Sequence, residues 1–170
     1  ALRWRNFRLY FIGQAFSLTG TWMQRVALGW LVYRLPDSEM MLGLVSFAGR
    51  IPNLLVLPFS GVLADHVNRH KVMMVARSFA MLQAAALAYL VMSGTVEIWH
   101  IIALSLAMGV IFAMDAPSRQ AFIYQVIGDQ RDLSNAVALH SAVFNLARLV
   151  GPALAGLLVA VAGEGPVFLI

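Results

Sequence analysis

The sequence has no cysteine, a single lysine and only eight acidic residues in 170 positions. Without cysteine there is neither a disulfide framework nor a thiol metal site, and the redox compartment cannot be read. Charged residues make up 12% of the chain against 61% hydrophobic, with a mean hydropathy of +0.78. A soluble fold has no means of hiding that much apolar surface. Eleven of the twelve basic residues are arginines scattered among apolar runs, so the net charge of +4 is not a basic patch and no nucleic-acid partner is expected. There is no HExxH, no pair of aspartates within the apolar runs and no serine with a histidine base, so no enzyme, metal or cofactor is expected.

What the chain does have is long apolar runs. A bilayer-crossing helix needs roughly 20 mostly apolar residues, and runs of that length fall near Leu9–Val32, Met41–Ala64, Val72–Met92, Ile98–Ala116 and Ala136–Val161. These predict an all-α integral membrane protein embedded in a lipid bilayer, with five complete spans and the start of a sixth at Val167. The first run is too long for a signal-peptide core and is followed by others, so it reads as a retained helix. Polar breaks are predicted at Tyr33–Met40, Asp65–Lys71, Ser93–Glu97 and Ser118–Asn135, the last long enough for a short interfacial helix. The start at Ala1 without methionine and the stop at Ile170 within a fresh apolar run read as cut ends.

Cytoplasmic loops retain positive charge. With the N-terminus inside, one side carries Arg3, Arg5, Arg8, Arg69, Lys71, Arg119 and Arg131, and the other only Arg34. Trp4 on the inner side and Trp30 and Trp99 on the outer side stand where aromatic belts form. The expected orientation is a cytoplasmic N-terminus, with odd spans running outward.

Polar side chains inside a span face a cavity or a partner, because a charge in hydrocarbon costs about 2.5 to 3.5 kcal/mol on insertion scales. In the first span Gln14, Ser17, Thr21 and Gln24 form one stripe with Arg25 at its outer end; Ser46, Arg50 and Asn53 do so in the second, and Ser141, Asn145 and Arg148 in the fifth. The fourth carries Ser105, Gly109, Phe112, Asp115 or Ala116, and Arg119 along one side, whereas the third has only Arg77 and Gln83. Hydrogen bonds that hold a bundle together would produce such stripes without any cavity. The arginines argue for water: Arg50 lies nine residues, about 13 Å at 1.5 Å per residue, below the outer end of its helix. Gln14, Thr21, Gln24, Arg25, Arg50, Asn53, Asn145 and Arg148 are therefore the candidate cavity residues, and three arginines favour an anionic or oxygen-rich substrate. Asp115, the one acid within a span, has Arg119 a turn later: an ion pair by default, a proton carrier in the alternative. Pro52, Pro58 and the Gly151, Pro152, Gly156 group mark sites of helix bending, and Gly151, Ala155 and Val159 form a ridge of small residues suited to packing.

The segment from Gly61 to Lys71 reads GVLADHVNRHK. It resembles the loop between the second and third helices of the major facilitator superfamily, G-x-L-A-D-R-x-G-R-(R/K)-(R/K), at Gly61, Leu63, Ala64, Asp65, Arg69 and Lys71, with His66, Asn68 and His70 departing from it. Gly151-Pro152-x-x-Ala155-Gly156 is similar to the antiporter signature G-P-x-x-G-G with one glycine changed. The stretch from Asp115 to Ala121, Asn135 to Leu139 and Asn145 to Arg148 resembles the exporter branch that includes enterobactin and macrolide efflux proteins.

The resemblance implies the N-terminal six-helix half of a twelve-helix transporter, with helices one, two, four and five near a central cavity and three at the periphery. It implies alternating access, a C-terminal half of the same transporter as partner, a small-molecule substrate such as a siderophore or drug, protons as coupling ion, and a bacterial inner membrane. Asp65 and Arg69 become gating residues together with Gly61 and Lys71, and Asp115 the partner of Arg69 or Arg119. Two other readings remain open: a membrane scaffold or assembly protein, for which wet stripes are unnecessary, and a lipid-moving member of the same superfamily.

Overall fold

The computed structural model of the chain describes residues 5–34, 39–66, 69–126 and 130–170; side chains are described for these except at positions 6, 39, 57–66, 69, 123–126, 130 and 131. The described residues form α1 (Arg5–Arg34), α2 (Glu39–His66), α3 (Arg69–Met92), α4 (Ile98–Val126) and α5 (Gln130–Ala162), followed by a 3-10 turn at Gly165–Leu169. Each helix contains one of the long apolar runs. Among the described residues three helical stretches, His70–Met92, Ile98–Phe122 and Asp132–Ala162, are long and apolar enough to cross a bilayer, and Met40–Val56 is a shorter apolar helix. α1 has the length, at 30 residues, but its polar stripe and Arg25 dilute its hydropathy.

Helix ends follow local chemistry. α3 stops at Gly94, whose φ of +70° is accessible to glycine without a Cβ clash. The Gly94 and Thr95 amides donate to the Val91 and Leu90 carbonyls at 3.2 and 3.1 Å, closing a Schellman cap. Gly163, at φ +80°, ends α5 in the same left-handed region.

One expectation differs from the structure. The break predicted over Ser118–Asn135, with its separate interfacial helix, is not there: α4 runs on past Pro117 to Val126 and α5 begins at Gln130. Hydropathy marks where a chain leaves hydrocarbon, not where its hydrogen bonding stops. Ser118 Oγ donates to the Met114 carbonyl at 3.2 Å just beyond the proline. Val167 lies within the 3-10 turn at Gly165–Leu169.

Packing divides the helices. α1 lies along α5, α2 along α4, and α3 along α4, while α1 touches α2 and α4 only lightly. The 3-10 turn packs on α3, α1 and α5. The main apolar cluster, around Met23, Ala27, Leu31, Val45, Leu87, Ile101, Ala155 and Phe168, sits where these elements meet near the ends of α1 and α3. Glycines set the closest approaches. A Cβ on Gly151 would lie 2.7 Å from Trp22 Cβ and 3.1 Å from the Thr19 carbonyl, so α5 needs a bare backbone there to meet α1. Ala155, fully buried, continues that seam. Outward, Phe16, Leu54, Phe79, Met81, Leu149 and Val161 are all exposed, an apolar exterior suited to lipid rather than water.

Candidate functional site

The light contact between α1 and the pair formed by α2 and α4 leaves a cavity of about 390 Å³. α1 contributes Thr21, Gln24 and Arg25; α2 contributes Ser46 and Arg50; α4 contributes Ser105, Gly109 and Phe112. These are residues of the separate stripes, one turn apart along each helix, now facing one space. Arg25 and Arg50 share the cavity, and among the described residues no acidic side chain lines it. Two guanidiniums in one cavity attract anions and repel cations.

Arg25 is held by aromatic rings. Its Cζ lies 4.6 Å from the Trp22 ring centroid and 5.4 Å from that of Phe112. Such stacking orients a guanidinium while leaving its in-plane donors free for a ligand. Arg148 of α5 approaches the same Trp22 ring, at 5.8 Å, without lining the cavity.

α3 enters the site through Gln83, which is buried and lines the cavity. Gln24 Nε2 donates to Gln83 Oε1 at 2.8 Å, and Gln83 Nε2 donates to the Leu104 carbonyl of α4 at 3.4 Å. Ser105 Oγ, also buried, has no hydrogen-bond partner among the described residues. α3 carries no polar stripe that would mark it as part of a cavity. A single amide with no repeat is invisible to periodicity, and only the packing of α3 on α4 brings it here.

The other candidate residues lie elsewhere. Gln14 is buried and its Oε1 accepts from Arg77 Nη2 at 2.5 Å, tying α1 to α3 below the cavity. Asn145 Nδ2 donates to its own helix at the Ser141 carbonyl, 2.9 Å away, and Asn53 is exposed outside the cavity lining. Asp115 and Arg119 form an ion pair on α4, with both side chains nearly buried. They line a small chamber of about 40 Å³ with Arg77, Ser17 and Thr21. Thr21, Met108 and Phe112 border this chamber as well as the main cavity. Asp115 Oδ1 and Arg119 Nε have no hydrogen-bond partner among the described residues. Gly151 is packed against α1 and Pro152 lies within an unbroken α5, while a Cβ on Gly156 would meet nothing within 4 Å. In the loop motif, Lys71 is exposed near the start of α3; Gly61, Asp65 and Arg69 lie outside the described side chains.

The chain is 32% identical over 154 residues to a staphyloferrin A transporter of Staphylococcus aureus, a match covering 89% of this chain and 38% of that protein. It is 28% identical over 142 residues to the multidrug efflux pump Tap of Mycolicibacterium fortuitum, covering 81% of this chain and 35% of the pump. It is 24% identical over 158 residues to an uncharacterized MFS-type transporter, YfiS, of Bacillus subtilis, covering 92% and 36%. The chain thus spans little more than a third of the length of these curated relatives. No solved structure matches it. The sequence profile of the transmembrane secretion effectors matches residues 1–170, the whole chain, which therefore belongs to that family of major facilitator superfamily transporters rather than to any family of enzymes.

Proposed function

We propose that this chain is the N-terminal six-helix half of an alternating-access exporter in a bacterial inner membrane, with its N-terminus in the cytoplasm. The substrate is a small anionic or oxygen-rich molecule, a siderophore or a drug, exchanged against protons. The single observation that carries this reading is the cavity in which Arg25 and Arg50 stand together with no acid among the described lining residues. The names of the relatives, a siderophore transporter and a drug pump, support the substrate range.

In this reading Gly61, Asp65, Arg69 and Lys71 hold one state of the cycle from the cytoplasmic side. Gly151, Pro152 and Gly156 let α5 bend as the halves rock. Asp115 and Arg119 form the ion pair at the cytoplasmic end of the fourth span, where charge rearrangement accompanies coupling. The C-terminal half completes the cavity, and Arg148 and Asn145 then face it from α5.

The test is Arg50→Gln in the complete transporter, read as thermal stability and as affinity for whichever compound the transporter exports from a panel of siderophores and antibiotics. Glutamine keeps the stripe polar, so the melting temperature should hold. Affinity should fall by roughly ten- to a hundredfold, the effect of losing a hydrogen bond from a charged donor. A lower melting temperature with unchanged affinity would mean that Arg50 pairs structurally, and the cavity reading would fail.

A further inference from the structure

The amides of the cavity are connected in one direction only. The Leu104 carbonyl oxygen can accept but never donate, so the atom of Gln83 that faces it is Nε2. That leaves Gln83 Oε1 toward Gln24, and an acceptor there demands Nε2 of Gln24 in turn. The remaining oxygen of Gln24, Oε1, has no partner among the described residues, and Gln24 lines the cavity beside Arg25. A free glutamine would turn its amide to suit any ligand. This one is held at one end by the backbone of α4, through Gln83, which is buried.

We propose that the Leu104 carbonyl, acting through Gln83, fixes Gln24 as a hydrogen-bond acceptor in the cavity, so that the site selects an anion carrying a hydroxyl or N–H donor beside its carboxylate. The inference rests on the cavity being the substrate site and narrows what that site takes. Arg25 and Arg50 supply donors for the carboxylate, and Gln24 Oε1 receives the ligand's own donor. Ser105 Oγ, buried in the lining without a partner among the described residues, offers a second polar contact on the same wall. An anion without a donor would satisfy the arginines and leave Gln24 Oε1 unpaired once water is displaced, a penalty that a hydroxylated anion escapes.

The experiment uses the complete purified transporter with two probes that differ by one hydroxyl, malate and succinate, each titrated against thermal stability. Malate should bind roughly three- to tenfold tighter than succinate, the range set by one neutral hydrogen bond. In Gln83→Leu, which frees Gln24 to turn, and in Gln24→Met, which removes the acceptor but leaves Gln83 in place, that ratio should fall towards one, as malate loses its acceptor and succinate no longer leaves one unpaired. If malate and succinate bind equally to the unaltered protein, the anion site stands and the oriented acceptor is refuted. If neither stabilises the protein, the inference falls together with the anionic reading. The comparison in the unaltered protein decides the matter even if both variants fail to fold.

Discussion

Gly109 of α4 faces Gly49 of α2 so closely that a Cβ on Gly109 would stand 2.6 Å from the Gly49 carbonyl oxygen and 3.0 Å from Cγ and Cδ of Pro52. Backbone and a proline ring cannot swing aside as the end of a long side chain can. The crossing also forms one wall of the cavity, since Gly49, Gly109 and Arg50 all line it. Gly109→Ala should therefore force α2 and α4 apart and lower stability by about 1 to 3 kcal/mol, the usual effect of overpacking. Gly156→Ala is the control, because nothing lies within 4 Å of its Cβ position. Thermal unfolding of both variants in detergent checks this, and equal midpoints would count against the close approach.

The contrast between those two glycines shows what could be read in advance. Apolar runs located all five helices, because run length is a property of one segment. The stripes containing Thr21, Gln24, Arg25 and Arg50 could be read because helical spacing is likewise local. Partners across helices could not be read. Nothing in the spacing of Gln14 distinguishes a cavity-facing amide from one bonded to Arg77, and nothing around Gly109 in sequence names Gly49 as its neighbour. Gln83, the one amide side chain on its helix, offers no repeat.

Gln14 gives the second prediction. It begins the polar stripe of α1 but is 2% exposed and bonded to the Arg77 guanidinium. Gln14→Leu should destabilise the protein by about 1.5 to 3 kcal/mol, through loss of a hydrogen bond to a charged group. Substrate affinity should stay the same, in contrast to Arg50→Gln. Measuring both quantities on one preparation separates a tie between helices from a contact with substrate.

Topology is checked with single cysteines, since the chain has none of its own. Asn68→Cys, in the loop rich in basic residues, should resist an impermeant thiol reagent in intact cells and react once the membrane is opened. Asp37→Cys, in the loop whose only basic neighbour is Arg34, should react from outside. The reverse pattern would invert the orientation drawn from arginine and lysine counts.

The ion pair on α4 separates a structural role from a proton-carrying one. Asp115 and Arg119 keep only 11% and 12% of their side-chain surface exposed, and Arg77 lines the same small chamber. Removing one partner from a buried pair leaves an uncompensated charge and typically costs about 3 to 5 kcal/mol. Asp115→Asn should be the worse of the single changes, because it leaves Arg77 and Arg119 around one chamber with no acid lining it. Arg119→Gln leaves Asp115 with Arg77 beside it and should cost less. Changing both, Asp115→Asn with Arg119→Gln, should recover much of the loss, since neutral side chains of similar shape need no counter-charge. Thermal unfolding of the three variants tests that order. If Asp115 carried protons instead, Asp115→Asn would keep its stability and lose only the dependence of transport on a pH gradient, a result that would set the structural assignment aside. Flux into vesicles with and without an imposed gradient, measured beside the melting curves, decides between the two.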